Sequence, residues 1–305
     1  MKVIVPPIKS QGIKTKLVPW INDVVKRSGI SLESNWIEPF FGTGVVGFNS
    51  PLRGRHIAGD TNPHIINFHK AIQTGEITAA SMRLYLERES RLLSAAAEDG
   101  YAYCKEVRDR FNAKRSPYDF LFLSRAGFNG MMRFNRHGDW NIPFCKKPGR
   151  FPQAYITKIC NQICNIKHVM SRSLWEFRND TFAKTIADAG SGDLIYCDPP
   201  YFGRYVDYYN GWTETDEQQL YKALRQTRAP FILSTWHHNE FRKNTMMERF
   251  WKDFNVETKG HYYHSGGHIE NRHSMTEALV FNFDLKAKAA EPRKNAVQLE
   301  LLAAS

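Results

Sequence analysis

The sequence predicts an α/β protein, a Rossmann-like doubly wound sheet interrupted by an inserted, mainly helical domain. Three observations lead there. Trp36–Phe41 is a short apolar run ending in glycines, and His56–Gly59 is a second one closing on Asp60. Strand, glycine turn, strand and acid in that order open a doubly wound sheet. Asp193–Cys197 (DLIYC) is a further strand that feeds Asp198-Pro199-Pro200-Tyr201, and the carboxyl end of a sheet strand is where α/β sites are built. Between these halves lies a long polar and basic stretch with neither pattern.

The elements follow in chain order. Residues 14–27 predict a helix, with Leu17, Ile21, Val24 and Val25 at i, i+4, i+7 and i+8. The segment Gly42–Asn49 is expected to open a second helix between the first two strands. Residues 79–115 are polar and helix-prone, and 124–150, rich in Gly, Asn and Arg, predict irregular structure that carries function. Residues 214–227 form an amphipathic helix and Pro230–Thr235 a strand. Val256–His264 and Ala278–Phe283 are expected to pair antiparallel at the sheet edge. The expected domains are therefore 1–77 with 160–284, an insertion over 78–159, and a mobile tail over 285–305.

Composition narrows the function. The chain has 305 residues, 42% hydrophobic and 24% charged, which fits a globular protein rather than a disordered or fibrous one. No apolar run is long enough for a transmembrane helix, and the N-terminus lacks the apolar region of a secretory signal. Five scattered cysteines argue against a disulfide framework and for a reducing, cytoplasmic setting. The formal charge is +11, and residues 104–178 hold 15 Lys/Arg against 5 Asp/Glu. A cationic field of this size attracts polyanions. In this stretch the charge is interleaved with Phe128, Asn129, Arg133, Phe134, Asn135, Trp140, Asn141 and Phe144, a mix that can pair phosphates, stack on bases and read base edges.

Two motifs carry chemistry. Gly42-x-Gly44-x-x-Gly47 fits a nucleotide-binding turn, and Asp60 follows about 20 residues on, where a ribose-binding acid belongs. This pattern alone does not separate NAD from S-adenosylmethionine. Asp198-Pro199-Pro200-Tyr201 does. The exocyclic nitrogen of adenine is a poor nucleophile because its lone pair is delocalised into the ring. A carboxylate at Asp198 and the carbonyl of Pro199 can accept its two N–H groups and localise that lone pair. Pro199 and Pro200 stiffen the backbone that presents these acceptors. Tyr201 offers a ring on which a base could stack, and a base in a duplex must be flipped out to reach such a site.

At these residues the chain resembles the Dam-type, D12-class DNA adenine-N6 methyltransferases. The resemblance runs from about residue 3 to 283. It rests on Lys9–Lys14, Ile37–Asn49, Asp60-Thr61-Asn62, Asp198–Tyr201 and, most specifically, Arg125–Phe144. It implies an S-adenosylmethionine-dependent methyltransferase fold with a target-recognition insertion, S-adenosylmethionine as cofactor and double-stranded DNA as partner. It implies that Lys14 pairs with the cofactor's methionine carboxylate. Glu38, Pro39, Phe40, Gly42 and Gly44 would line the pocket, Asp60 would take the ribose hydroxyls, and Asp180 and Phe182 would hold the adenine. Asp198, Pro199, Pro200 and Tyr201 would do the base chemistry, and Asp198 would also border the cofactor. Arg133, with Met131 and Pro143, falls where the family reads base edges, and Phe128 and Asn129 where it enters the opened duplex. Lys9 falls where a guanine beside the target adenine is contacted, and Arg125 and Asn135 complete the DNA-binding candidates. A GATC-like recognition site, a monomer and, as a further partner, a cognate restriction endonuclease belong to the same expectation. Ser10 and Ile13 depart from the family's first block, and Cys145-Lys146-Lys147 from the residues after Pro143-Phe144.

Other features weigh less. His261, His264, His268 and His273 cluster in a glycine-containing loop that is not expected to hold a metal; Arg272 there is expected to meet phosphate. Cys160 and Cys164 read as a helical core stripe, and Cys197 as a buried strand residue. Three alternatives stay open at this point. One is an NAD-binding Rossmann oxidoreductase built on the Gly42–Gly47 turn. Another is a non-catalytic DNA-binding module on a methyltransferase scaffold. The third keeps the chemistry on an RNA or protein amide nitrogen, against which the segment 125–144 argues.

Overall fold

The computed structural model describes residues 2–203, 211–262 and 274–287. Seven strands form one sheet in the order β3-β2-β1-β4-β5-β7-β6. They are β1 (Asn35–Glu38), β2 (His56–Gly59), β3 (Trp175–Arg178), β4 (Asp193–Cys197), β5 (Phe231–Asn239), β6 (Asn255–Tyr262) and β7 (Ser274–Phe281). The first five run parallel, and β7 is antiparallel to both β5 and β6.

The strands are apolar on both faces because helices cover both. Trp36, Leu194, Tyr196, Ile232 and Leu279 pack with Leu17, Ile21 and Val24, on and just before α1 (Val18–Arg27). Their neighbours Ile37, Ile195, Cys197, Leu233 and Val280 point the other way, toward α7 (Phe182–Ala187), α8 (Glu214–Gln226) and Trp251. Single-residue alternation along each strand thus feeds two cores.

The remaining helices are α2 (Pro63–Thr74), α3 (Ala79–Ala95), α4 (Tyr101–Lys114), α5 (Pro117–Ala126) and α6 (Gln153–Met170). They share one core, which also takes in Phe41, Phe48, Trp175 and Phe177 from the sheet side. The insertion is thereby continuous with the sheet's packing. The boundary expected at residue 160 falls inside α6, a single helix that contacts α3 and α2.

Several local expectations change. Gly42 to Asn49 does not open a full helix; only a 3-10 turn forms at Gly47–Asn49. Gly42 (φ +50°) and Gly44 (φ +77°) are left-handed, which an α-helix cannot accommodate. The helix-prone stretch 79–115 breaks into α3 and α4 around Asp99 and Gly100, both at positive φ. Strand β3 was not expected: WEFR alternates aromatic with charged residues and follows α6 closely. The tail from residue 288 onward lies outside the described residues, as do His264, His268, Arg272 and His273.

Candidate active site

Parallel strands deliver their carboxyl ends to one edge, and the candidate residues gather there. β1 ends at Glu38 and leads into Pro39–Gly44; β2 leads into Asp60, β3 into Asp180 and β4 into Asp198. β1 and β4 are adjacent although distant in sequence, which makes the gap between them the topological switch point. The Asp60 carboxylate holds the glycine turn, accepting from Gly42 N at 2.8 Å and Asn62 N at 2.8 Å. Burial lifts its pKa, and those two N–H groups oppose the rise. A Cβ on Gly42 would meet no atom within 4 Å, whereas one on Gly44 would stand 2.4 Å from the Phe41 ring. The turn is therefore open toward the cleft at Gly42 and packed at Gly44.

Asp198 lies beside Lys14, with Nζ 2.8 Å from Oδ1. Burial raises the Asp198 pKa, the Lys14 charge pulls it back, and Glu277 adds to the rise. The Lys14 ammonium also sits 4.6 Å from the centre of the Tyr201 ring, a cation–π contact. Tyr201 is buried with Trp236 and Met275, and its hydroxyl donates to Glu277 Oε2 at 2.6 Å. Lys14, Asp198 and Tyr201 thus form one cluster.

Glu38 is buried, accepting from Trp36 Nε1 at 2.9 Å; burial holds its carboxyl well above the usual range. Phe40 and Phe182 stack at 5.3 Å, and Trp212 meets them at 5.7 and 5.8 Å. Asp180 pairs with Lys184 at 2.8 Å.

The segment 125–144 is held by its own turns. Asn135 Oδ1 accepts from His137 N and Asp139 N, and Arg115 clamps Gly138 and Asp139. Bridges join Gly127 to Phe144 and Phe134 to Trp140. These contacts leave Phe128, 48% exposed, and Asn129, at φ +51°, standing outward. Half-buried Arg133 donates Nε to Asn141 Oδ1 at 2.9 Å, Pro143 is exposed, and Met131 is half-buried against the core. The Lys9 stem lies against Gly130, and its backbone N–H bonds Ser124, so the N-terminal block borders this segment.

Arg125 does not join that surface. It is buried, and its guanidinium donates to Pro7 O, Tyr155 Oη and Gln162 Oε1. Asn135 likewise uses its side chain on the turn it sits in. Sequence reading missed Trp212 and Glu277. Trp212 could have been suspected as the aromatic that stands just before the helix that follows the Asp198–Tyr201 motif. Glu277 could have been suspected as an acid in the apolar run before Phe281. Among the described residues no group of three or more His, Cys, Asp or Glu could hold a metal. No helix among them is long and apolar enough to cross a membrane.

Residues 10–265 match the D12 class N6 adenine-specific DNA methyltransferase family. The retron Ec67 DNA adenine methylase of Escherichia coli is 31% identical over 209 residues, 65% of this chain and 67% of that protein. The DNA adenine methylase of E. coli K12 is 27% identical over 232 residues, 70% of this chain and 74% of its own. The Salmonella typhi DNA adenine methylase is 30% identical over 214 residues, covering 65% and 70%. A solved rRNA methyltransferase from Streptomyces viridochromogenes aligns over 93% of this chain and 90% of its own, at 12% identity and a TM-score of 0.38, too distant to add to the sheet order. With the family matched across most of its length, and with the glycine turn and the Asp198–Tyr201 motif meeting at one sheet edge, the chain belongs to the D12 class of N6 adenine-specific DNA methyltransferases.

Proposed function

We propose that this chain methylates N6 of an adenine flipped out of a short, GATC-like duplex site, with Asp198 and the Pro199 carbonyl holding the amino group. The observation that carries this reading is the position of Asp198, at the switch point beside the Gly42 turn and under the Lys14 charge. The donor set suits S-adenosylmethionine. Asp60 can serve a ribose diol, Phe40, Phe182 and Trp212 an adenine ring, and Lys14 a carboxylate. Gly42 leaves room for close approach. When bound, S-adenosylmethionine supplies an electrophilic methyl group on a sulfonium.

The chain's own work is positioning and electrostatics. Two acceptors at Asp198 and Pro199 aim the N6 lone pair by taking its N–H hydrogens. Lys14 favours the ionised form of Asp198, the stronger acceptor, against the pull of burial. Phe128 and Asn129 project where they can fill an opened duplex, and Arg133 where it can meet a base edge. Unstacking the target costs a few kcal/mol, which contacts of this kind offset.

Asp198→Ala tests the reading. Transfer of labelled methyl groups to DNA should vanish, while calorimetric titration still detects S-adenosylmethionine binding and no NAD binding. Methylation at the wild-type rate by this variant would overturn the assignment.

A further inference from the structure

Glu277 is costly where it stands. It lies on β7 with no exposed side-chain surface, followed by buried Ala278, Leu279, Val280 and Phe281. Removing a carboxylate from water is expensive unless its hydrogen bonds do something an apolar residue could not. Its Oε2 accepts the Tyr201 hydroxyl at 2.6 Å, and Ser234 Oγ lies 3.5 Å from the same hydroxyl. The neighbouring contacts serve the same segment. Trp236, the cross-strand partner of Glu277, donates Nε1 to the Phe202 carbonyl at 3.0 Å. Trp236 and Met275 also enclose the Tyr201 ring. The sheet thus grips the Asp198–Tyr201 motif at its far end, while Lys14 touches it at both Asp198 and the ring face.

We propose that Glu277 is a positioning residue for methyl transfer: its buried carboxylate sets the pose of the Tyr201 ring by holding the phenol hydroxyl. Two consequences follow from the geometry. The ring cannot swing about its Cα–Cβ bond without breaking a buried, charge-assisted hydrogen bond, so any base that packs on the motif meets a fixed surface. A phenol that donates to a carboxylate also gains electron density in its ring. Such a ring attracts cations more strongly, which suits a site through which a positively charged methyl group passes. In this role Glu277 acts through Tyr201, whose hydroxyl it holds.

This inference rests on the function proposed above, and the experiment keeps the two apart. Methyl transfer by the wild type tests the first reading; a cycle of Glu277→Leu, Tyr201→Phe and the double variant tests this one. Glu277→Leu should lower kcat about tenfold to a hundredfold, the scale of a small misplacement in a site, with S-adenosylmethionine affinity unchanged. Tyr201→Phe removes the hydroxyl from the other side and should lose a similar factor. The double variant should fall no further than about twofold below either single one, because both remove the same link. Glu277→Gln, which keeps an acceptor at the same point, should recover most of the lost rate. If Glu277→Leu does not fold, Tyr201→Phe with and without Glu277→Gln carries the test, and Glu277→Gln should change kcat by no more than about twofold once the hydroxyl is gone. A wild-type kcat in Glu277→Leu, a wild-type kcat in Tyr201→Phe, or multiplying losses in the double variant would overturn the proposal.

Discussion

Lys14 and Asp198 show how far a motif speaks for a single residue. The aspartate was legible because its neighbours Pro199 and Pro200 and the preceding apolar strand fix both its chemistry and its position. The lysine was legible as a cofactor candidate, but its 2.8 Å contact with Asp198 was not, since 184 residues separate them and only the sheet order brings them together. That contact has a pH signature. Burial raises the Asp198 pKa and Lys14 lowers it, so removing the cation should raise it further. The ionised form is the stronger acceptor for N6 and does not place a competing O–H donor there, so the acid limb of the rate lies at the folded-state pKa. Lys14→Met, assayed at saturating cofactor, should therefore shift the acid limb of the kcat profile to higher pH. The loss should be larger near pH 6 than near pH 8.5. An acid limb that stays in place would mean the pair has no electrostatic role. Arg125 marks the opposite case. It sits in the most specific motif, yet composition cannot tell an arginine that faces solvent from one that braces Pro7, Tyr155 and Gln162.

At the scale of elements, β1, β2, β4 and β5 were readable because central parallel strands are short, apolar and bounded by turns. β3 was not, because an edge strand of four residues with two charges has no such signature. The glycine turn was readable as a turn but mistaken for the start of a helix, since sequence does not give the sign of φ. The structure separates its glycines by function. Gly44 is both left-handed and pressed on Phe41, where an added Cβ would come within 2.4 Å of the ring. Gly42 is left-handed but open. Gly44→Ala should then cost about 2–4 kcal/mol, from backbone strain and an overfilled core together. Gly42→Ala should cost about 1 kcal/mol, from strain alone. Thermal melting should separate the two, with Gly44→Ala melting well below Gly42→Ala. Calorimetry should show weakened S-adenosylmethionine affinity in Gly42→Ala while its fold persists. Equal melting temperatures would contradict the packing described for Gly44.

For the whole molecule, the question is how much of the +11 charge a DNA backbone could meet. The sequence concentrates it in residues 104–178, but the structure withdraws part of that excess. Arg110 is held by Glu89 and Asp119, Arg115 by Asp139 and Arg178 by Glu176 and Asp188; Arg125 is buried, and Arg150 donates to its carbonyl. Lys146 and Lys147 remain exposed past Pro143 and Phe144, and Arg133 is half-buried with its guanidinium on Asn141. Cations that meet phosphates release counterions and set the salt dependence of binding; a cation that reads a base edge sets discrimination instead. Three variants should therefore part company. Lys146→Ala with Lys147→Ala should weaken binding to every sequence alike and flatten the plot of log affinity against log salt by about 1 for each phosphate that a lysine no longer neutralises. Arg133→Ala should reduce discrimination between cognate and altered sites by about 1–3 kcal/mol. Arg125→Ala should leave the salt slope as it is and lower the melting temperature, because it strips partners from buried oxygens. Equilibrium titrations at several salt concentrations, on one cognate and one altered duplex, measure the binding terms, and a thermal melt measures the last. If the salt slope followed Arg125 rather than the two lysines, the charge would be reaching DNA from a face other than the one this fold exposes.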